Sequence, residues 1–171
     1  MSISKFDTTA QDEADEKAEG VRQLVCFRLA EGSYALDIKF VREINRLTNV
    51  TIIPTAPDFV EGIINLRGSI VPVVNLGLRF GLTKTEHSKD ARVVVIESNG
   101  RTLGMLVDEV SEVLRLSGAE IEPADNMVSS GIDVDFVDGV GKVGERLILL
   151  LAPDKLFTEE ERATLDKIAK G

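Results

Sequence analysis

Short apolar runs follow one another along the chain and are separated by turn signals. The runs QLVCFRLA and SYALDI flank Glu31–Ser33, which predicts a hairpin. Two β-branched runs, GIINL and SIVPVV, enclose Arg67 and Gly68, and this pattern predicts a tight hairpin with Arg67 at its tip. Further along, ARVVVIES and RTLGMLV are joined by Asn99 and Gly100, the strongest short hairpin signal.

Few stretches favour helix. The segment APDFVEG predicts a short helical turn that ends at Gly62, and NLGLRFG predicts a short helix that ends at Gly81. The C-terminal stretch TEEERATLDKIAK predicts a longer helix, because Thr158 and Glu161 have the spacing of a capping box. The segment KFVREINR fits either a strand or a helix.

Many short strands with little helix predict an all-β protein built from small barrels or a sandwich. The strands form one group at about 21–80 and another at about 91–152, and the terminal helix covers 158–170. Residues 1–20 are acidic and poor in apolar groups. We therefore expect them to be a disordered tail.

Composition narrows the classes of partner. The hydrophobic content of 43% supports a proper core, and the net charge of −9 opposes nucleic-acid binding, which needs a basic surface. The chain has no secretory signal pattern, and its apolar run LILLLA is too short to cross a bilayer. With one cysteine, Cys26, no intramolecular disulfide can form. These features predict a cytoplasmic protein with no direct membrane insertion.

Candidate catalytic chemistry is sparse. His87 is the only histidine, and Cys26 lies in a strand with no activating neighbour, so neither a metal site nor a nucleophile is predicted. The GxGxxG match at 139–144 runs into a strand rather than a helix, and the acids at 133–138 have the wrong spacing for a calcium loop. The carboxylates within 108–112 are interpreted as a charged strand end. We therefore expect no cofactor, no metal and no enzymatic activity.

Three segments resemble the blocks of the CheW family of bacterial chemotaxis: FVEGIINLRGSIVPVVNLGLRFG, RVVVIESNGRTLGMLVDEVSEVLRL and DFVDGVGKVGERLILLLAPDKLF. The resemblance covers about residues 21–158. It implies two small five-stranded, SH3-like barrels that share a core, the first at about 21–80 and the second at about 91–152. It also implies an adaptor that couples the cytoplasmic tips of methyl-accepting chemoreceptors to a CheA-type histidine kinase in membrane-associated arrays. Without a receiver domain or a kinase core, the segment differs from CheV and CheA.

The same resemblance implies two sets of contact residues. The receptor-binding set is Arg67, Val93 and Gly104, and the kinase-binding set is Val41, Glu43, Glu61 and Gly62. Other interpretations stay open for several of them. Arg67 can pair with a nearby acid to hold its turn, Val93 and Gly104 can be strand core, and Gly62 can stop a helix. Glu61 departs from the family pattern, since relatives often carry a basic residue there.

Three alternatives to the swimming-chemotaxis adaptor remain. The chain can be a CheW-like adaptor of another chemosensory pathway, which the sequence does not distinguish. A β-barrel module that binds nucleic acid fits the fold but not the charge. A hydrolase that uses the carboxylates within 108–112 is supported only by the number of acids.

Overall fold

The structure, a computed structural model, describes residues 20–82, 87–123 and 136–170. The predicted tail, apart from Gly20, and the acids Asp133 and Asp135 lie outside the described residues. Most of the described chain is strand. The strands are β1 (Val21–Leu29), β2 (Gly32–Asp37), β3 (Val41–Arg46), β4 (Val60–Leu66), β5 (Ser69–Asn75), β6 (Arg92–Ser98), β7 (Arg101–Val107), β8 (Glu109–Ser117), β9 (Ile121–Pro123), β10 (Val137–Val143) and β11 (Arg146–Leu151), and the α-helices are α1 (Leu76–Arg79) and α2 (Glu159–Lys170).

The strands form two sheets. One sheet has the order β8-β1-β2-β11-β10-β9, and the other has the order β3-β6-β7-β5-β4. All pairs are antiparallel except β2 with β11 and β5 with β7. In the first sheet the two edge strands, β8 and β9, are joined by a single 3-10 turn at Gly118–Glu120. Such a short connection brings the edges together, so this sheet curls into a barrel. The all-β prediction is confirmed, with one strand more than expected in this barrel.

The predicted boundaries of the two barrels do not match the sheets. The five-stranded sheet is one continuous segment, β3 to β7, and it is inserted between β2 and β8 of the six-stranded sheet. The local spacing of apolar residues locates strands but carries no information on which strands pair over long distances in sequence. That is why grouping strands by their position in the sequence wrongly placed β1 and β2 with β3–β5, and β6 and β7 with β8–β11.

The two sheets share one hydrophobic core and each encloses a smaller one. In the shared core, Phe27 from β1 packs among residues that include Val94 from β6 and Met105 from β7. A second cluster, which includes Val93, lies within the five-stranded barrel. A third, which includes Cys26, lies within the six-stranded barrel. The prediction of two barrels around a common core is therefore confirmed.

The two predicted glycine hairpins are confirmed in detail. Arg67 and Gly68 have φ values of 53° and 89°, and Asn99 and Gly100 have 54° and 77°. Positive φ at both central residues defines the type I′ turn, whose twist matches that of the flanking strands. Asn65 supports the first turn, because its side-chain oxygen accepts a hydrogen bond of 2.8 Å from the backbone N–H of Gly68.

The helix predictions have mixed outcomes. Helix α1 begins after Asn75, whose side chain caps it, and the capping box of Thr158 and Glu161 precedes α2 as predicted. The segment KFVREINR contains strand β3. The helical turn predicted for APDFVEG is wrong, because only a hydrogen-bonded turn precedes Val60, where β4 begins. Gly62 therefore lies within a strand and does not stop a helix.

Candidate partner-binding site

Arg67 makes an ion pair with a buried acid and is also exposed to solvent. Its Nη1 donates a hydrogen bond of 2.8 Å to Oε2 of Glu43. The Glu43 side chain is only 8% exposed, whereas that of Arg67 is 75% exposed. The other carboxylate oxygen of Glu43 accepts a 2.8 Å hydrogen bond from the Asn45 side chain. The turn is thus anchored by one guanidinium nitrogen, while most of the guanidinium surface faces solvent.

This ion pair also joins the two edges of the five-stranded sheet. Glu43 lies on the edge strand β3, and Arg67 lies at the tip of the hairpin that contains the other edge strand, β4. Thr51, in the connection after β3, pairs with Ile63 of β4 as an isolated bridge. These contacts show that the five-stranded sheet also closes into a barrel.

A groove with a volume of about 480 Å³ lies beside the Arg67 hairpin. The tips of both type I′ hairpins and helix α2 contribute to its walls. Its lining contains five cationic side chains, Arg42, Arg67, Arg101, Arg162 and Lys170, and three acidic ones, Glu43, Asp154 and Asp166. The groove is therefore net positive on a protein whose overall charge is −9. A partner that carries carboxylates suits such a surface.

Val93 and Gly104 lie inside the five-stranded barrel and not on its surface. Val93 is 1% exposed. A Cβ added to Gly104 would lie 2.8 Å from Cγ1 of Val93 and 3.3 Å from Cγ2 of Val73, which is closer than ordinary packing allows. The Val93 side chain thus fills the space above Gly104. The structure brings these two predicted receptor residues together, but it buries both of them in the core, whereas Arg67 is exposed.

Gly62 and Glu61 occupy a bulge in β4. The register with β5 shifts between Val60 and Gly62, which leaves Glu61 as the extra residue. Its carboxylate accepts a 2.8 Å hydrogen bond from the Asn75 side chain, and Nε2 of His87 lies 3.3 Å away. The sequence predicts no metal site or catalytic role for His87. Its neighbour Glu61 was not foreseen, because the two are 26 residues apart in sequence.

Only glycine fits at position 62. Its φ is +151°, and a Cβ there would lie 2.1 Å from the carbonyl oxygen of Thr51 and 2.7 Å from Cγ1 of Val50. Both values are far below contact distance. The glycine therefore lets the segment around Thr51 lie directly against β4.

Six of the seven predicted contact residues form three groups rather than two surfaces, and Val41 lies apart from them. Arg67 and Glu43 form one group, Val93 and Gly104 a second, and Glu61 and Gly62 a third. The first and third are well separated, since Gly62 and Arg67 are five positions apart on an extended strand, about 16 Å at 3.3 Å per residue. Val41 begins β3, pairs with Ile96 and packs partly buried against the shared core. The kinase-binding set is thus divided between two ends of the barrel.

An arginine that sequence reasoning did not single out connects α1 to α2. The guanidinium of Arg79 lies 4.8 to 5.8 Å from the ring centroids of Phe59, Phe136 and Phe157. It also donates a 3.1 Å hydrogen bond to Glu161, the capping-box residue of α2. This arrangement attaches helix α2, a wall of the groove, to the shared core.

The described residues offer little for a metal or for covalent chemistry. No group of three or more His, Cys, Asp or Glu side chains within 20–82, 87–123 and 136–170 is placed to hold a metal ion. Burial raises the pKa of the Cys26 thiol to about 12, so the thiol is protonated at neutral pH and is a poor nucleophile. None of the helices in these segments is long and apolar enough to cross a membrane.

The comparisons with known proteins agree with this architecture. A family model described as the CheW-like domain matches residues 23–161. The chain belongs to the CheW-like family. CheW-like relatives include the chemotaxis protein CheW of Klebsiella aerogenes, which is 35% identical over 150 residues, 88% of this chain and 90% of that protein. The chemotaxis protein CheW of Rhizobium meliloti is 35% identical over 149 residues, 87% of this chain and 96% of that protein.

A solved CheW structure shares the fold. The scaffolding protein TtCheW from Thermoanaerobacter tengcongensis superposes with a TM-score of 0.75 at 40% sequence identity. The match covers 82% of this chain and 90% of that one. The prediction of a CheW-like protein is thus confirmed both by sequence and by fold.

Proposed function

We propose that this protein is a non-enzymatic adaptor that couples chemoreceptors to a CheA-type histidine kinase in bacterial chemotaxis arrays. Membership of the CheW-like family and similarity to chemotaxis proteins and to a scaffolding protein support this role. The adaptor works in the cytoplasm, where it associates with membrane-bound receptors through protein contacts alone. The observation that carries the proposal is the exposed guanidinium of Arg67 beside a net positive groove.

The receptor contact lies at the Arg67 hairpin. Nη1 of Arg67 is engaged by Glu43, and the exposed part of the guanidinium is free to donate hydrogen bonds to a carboxylate or a carbonyl of the receptor tip. The pair with Glu43 limits the motion of the guanidinium, which lowers the entropy lost on binding. Val93 and Gly104 act indirectly, since their packing sets the shape of the barrel that carries the hairpin.

The kinase contact lies at the other end of β4, around Glu61 and Gly62. Val41 and Glu43 were assigned to the kinase surface by the same resemblance. The buried carboxylate of Glu43 is occupied by Arg67 and Asn45, so Glu43 acts on kinase binding indirectly, by keeping the five-stranded barrel closed. Two contact areas about 16 Å apart let one barrel bind both partners at once.

Arg67→His tests the receptor contact. Histidine cannot reproduce the planar fork of donors, so we expect receptor affinity to fall by about 1–3 kcal/mol, roughly 5- to 150-fold. Titration calorimetry with a receptor cytoplasmic fragment and, separately, with a CheA-type kinase measures both affinities. Kinase affinity is expected to change less than threefold. Arg28→His is the matched control, because Arg28 is also exposed and ion-paired, with Asp108, but lies on the six-stranded sheet.

Glu43→Gln separates recognition from support of the turn. Glutamine keeps the size of the side chain and an oxygen that accepts from Arg67, but removes the charge. If Arg67 contacts the receptor directly, Glu43→Gln retains most receptor affinity and Arg67→His does not. Equal losses in both variants, together with lower melting temperatures, would mean that the ion pair is only structural.

A further inference from the structure

Ile52 is the most exposed large apolar side chain of the described residues, at 74%. It lies in the connection between β3 and β4. Isolated exposed apolar residues are common on protein surfaces, so exposure alone does not indicate a contact site. What distinguishes Ile52 is how firmly its backbone is held.

Hydrogen bonds fix the chain on both sides of Ile52. Thr51 exchanges two backbone hydrogen bonds of 2.9 Å with Ile63 of β4. After Ile52, a turn is closed by a 3.1 Å bond from the N–H of Ala56 to the carbonyl of Ile53. An exposed apolar side chain on a constrained backbone loses little entropy on binding, which is the property of an interface anchor.

Gly62 makes this placement possible. The Thr51 carbonyl lies where a side chain at position 62 would have to be, so the segment can approach β4 only because residue 62 has no Cβ. Gly62 itself has no side chain to offer to a partner. Any effect of position 62 on binding must therefore pass through its backbone or through the segment that it positions.

We propose that Ile52 is an apolar anchor of the kinase contact and that Gly62 is the positioning residue that holds it. This inference rests on the proposed function, because it names a further contact residue for the same kinase surface. The occupant is the CheA-type kinase, and the expected complement is an apolar pocket on that kinase. Continuity with the Glu61–Gly62 end of β4 and separation from the receptor hairpin favour the kinase over the receptor.

Ile52→Ser tests the anchor. We expect kinase affinity to fall about tenfold or more in titration calorimetry, with receptor-fragment affinity within twofold and the melting temperature unchanged, because the side chain is already in solvent. Ile52→Leu is expected to restore most of the affinity. Leu147→Ser is the matched control, since Leu147 is 60% exposed but lies on β11 of the other sheet.

Several outcomes overturn the inference, and they differ from failure of the proposed function. If the wild-type protein binds the kinase and Ile52→Ser binds equally well, only the anchor is wrong. Equal losses from Ile52→Ser and Leu147→Ser would show a nonspecific apolar effect and also overturn it. The inference would also be overturned if sedimentation showed that Ile52→Ser abolishes a homodimer while kinase affinity stays the same. Ile52 would then contact a second copy of this chain rather than the kinase. If the wild type binds no kinase, the proposed function and the anchor both fail.

A double-mutant comparison tests the positioning role of Gly62. Gly62→Ala is expected to weaken kinase binding in the wild-type background and to add less than a further twofold loss in the Ile52→Ser background. Independent, multiplicative losses would overturn the claim that Gly62 acts through Ile52. The melting temperature of each variant shows whether it is folded. If Gly62→Ala does not fold, the Ile52→Ser variant still tests the anchor by itself.

Discussion

Gly104→Ala is a small change with a calculable effect on the interior of the five-stranded barrel. The new Cβ would lie 2.8 Å from Cγ1 of Val93 and 3.3 Å from Cγ2 of Val73. Position 104 does not have a positive φ, so backbone strain plays no part. The perturbation is therefore overpacking between buried strands, with Val93 as the main neighbour.

The magnitude follows from two opposing effects. Overpacking of this kind costs about 1–3 kcal/mol. Replacing glycine reduces the entropy of the unfolded chain and returns about 0.5–1 kcal/mol. We expect Gly104→Ala to lower the free energy of unfolding by about 1–2 kcal/mol. Val93→Ala removes two methyl groups and leaves a cavity, for a loss of about 2–3 kcal/mol.

The double variant Val93→Ala/Gly104→Ala tests this account most directly, because the smaller residue 93 removes the overpacking and the new Cβ at position 104 partly fills the cavity. Alanine at position 93 vacates the space that the new Cβ at position 104 would enter. We expect the double variant to be about 1–2 kcal/mol more stable than the sum of the single losses predicts. Urea unfolding followed by circular dichroism gives all four free energies, and receptor-fragment titration gives the matching affinities.

Strict additivity in the unfolding free energies would refute the packing account. So would a Gly104→Ala variant that is fully stable yet has lost receptor binding, because a direct surface role for position 104 would then be needed. Recovery of receptor affinity in the double variant would show that Val93 and Gly104 affect the receptor by shaping the barrel.

Three further predictions concern other parts of the molecule. Arg79→Met is expected to lower the free energy of unfolding by about 2 kcal/mol, because it removes contacts with three aromatic rings and the hydrogen bond to Glu161. Urea unfolding measures this loss, and an unchanged free energy would mean that solvent fully replaces these contacts. Cys26 is expected to resist thiol reagents at pH 8 in the folded state. Burial raises the pKa of the Cys26 thiol from 9.0 to about 12. The contribution of this shift to the free energy of unfolding is therefore complete below pH 9 and is lost as the pH rises towards 12. Urea unfolding at a series of pH values measures this loss. The fragments 1–82 and 87–171 are each expected to unfold without cooperativity, since strands of the six-stranded sheet are divided between them; a sharp melting transition in either would contradict this.

Local features of the fold were predictable from sequence to the extent that they depend on local chemistry. The turns at Arg67-Gly68 and Asn99-Gly100 follow from residues that tolerate positive φ, and the start of α2 follows from a capping box. The segment before β4 was mispredicted. Its Pro-Asp pair suits a helix start, but the bridge between Thr51 and Ile63 and the pairing of β4 with β5 favour extended chain from Val60 onward.

The candidate site was predictable only in part, because its geometry depends on contacts between distant residues. The exposure of Arg67 follows from a charged residue at a hairpin tip. Its partner Glu43 lies 24 residues away, and no local pattern links them. The approach of Thr51 to Gly62 likewise depends on how the connection after β3 crosses β4, which neither propensity nor periodicity encodes. The exposure of Ile52 is likewise visible only in the three-dimensional structure.

The insertion of β3–β7 into the other sheet has a consequence for synthesis on the ribosome. β1 and β2 emerge first, but their partners β8 and β11 follow only after the entire five-stranded barrel has been made. At about 5–20 residues per second, that interval lasts several seconds. During it, the first hairpin exposes apolar side chains and two unpaired strand edges, whereas the inserted barrel can close on itself. The nascent chain is thus most prone to aggregate at its N-terminal hairpin, which is where a ribosome-associated chaperone would be expected to bind.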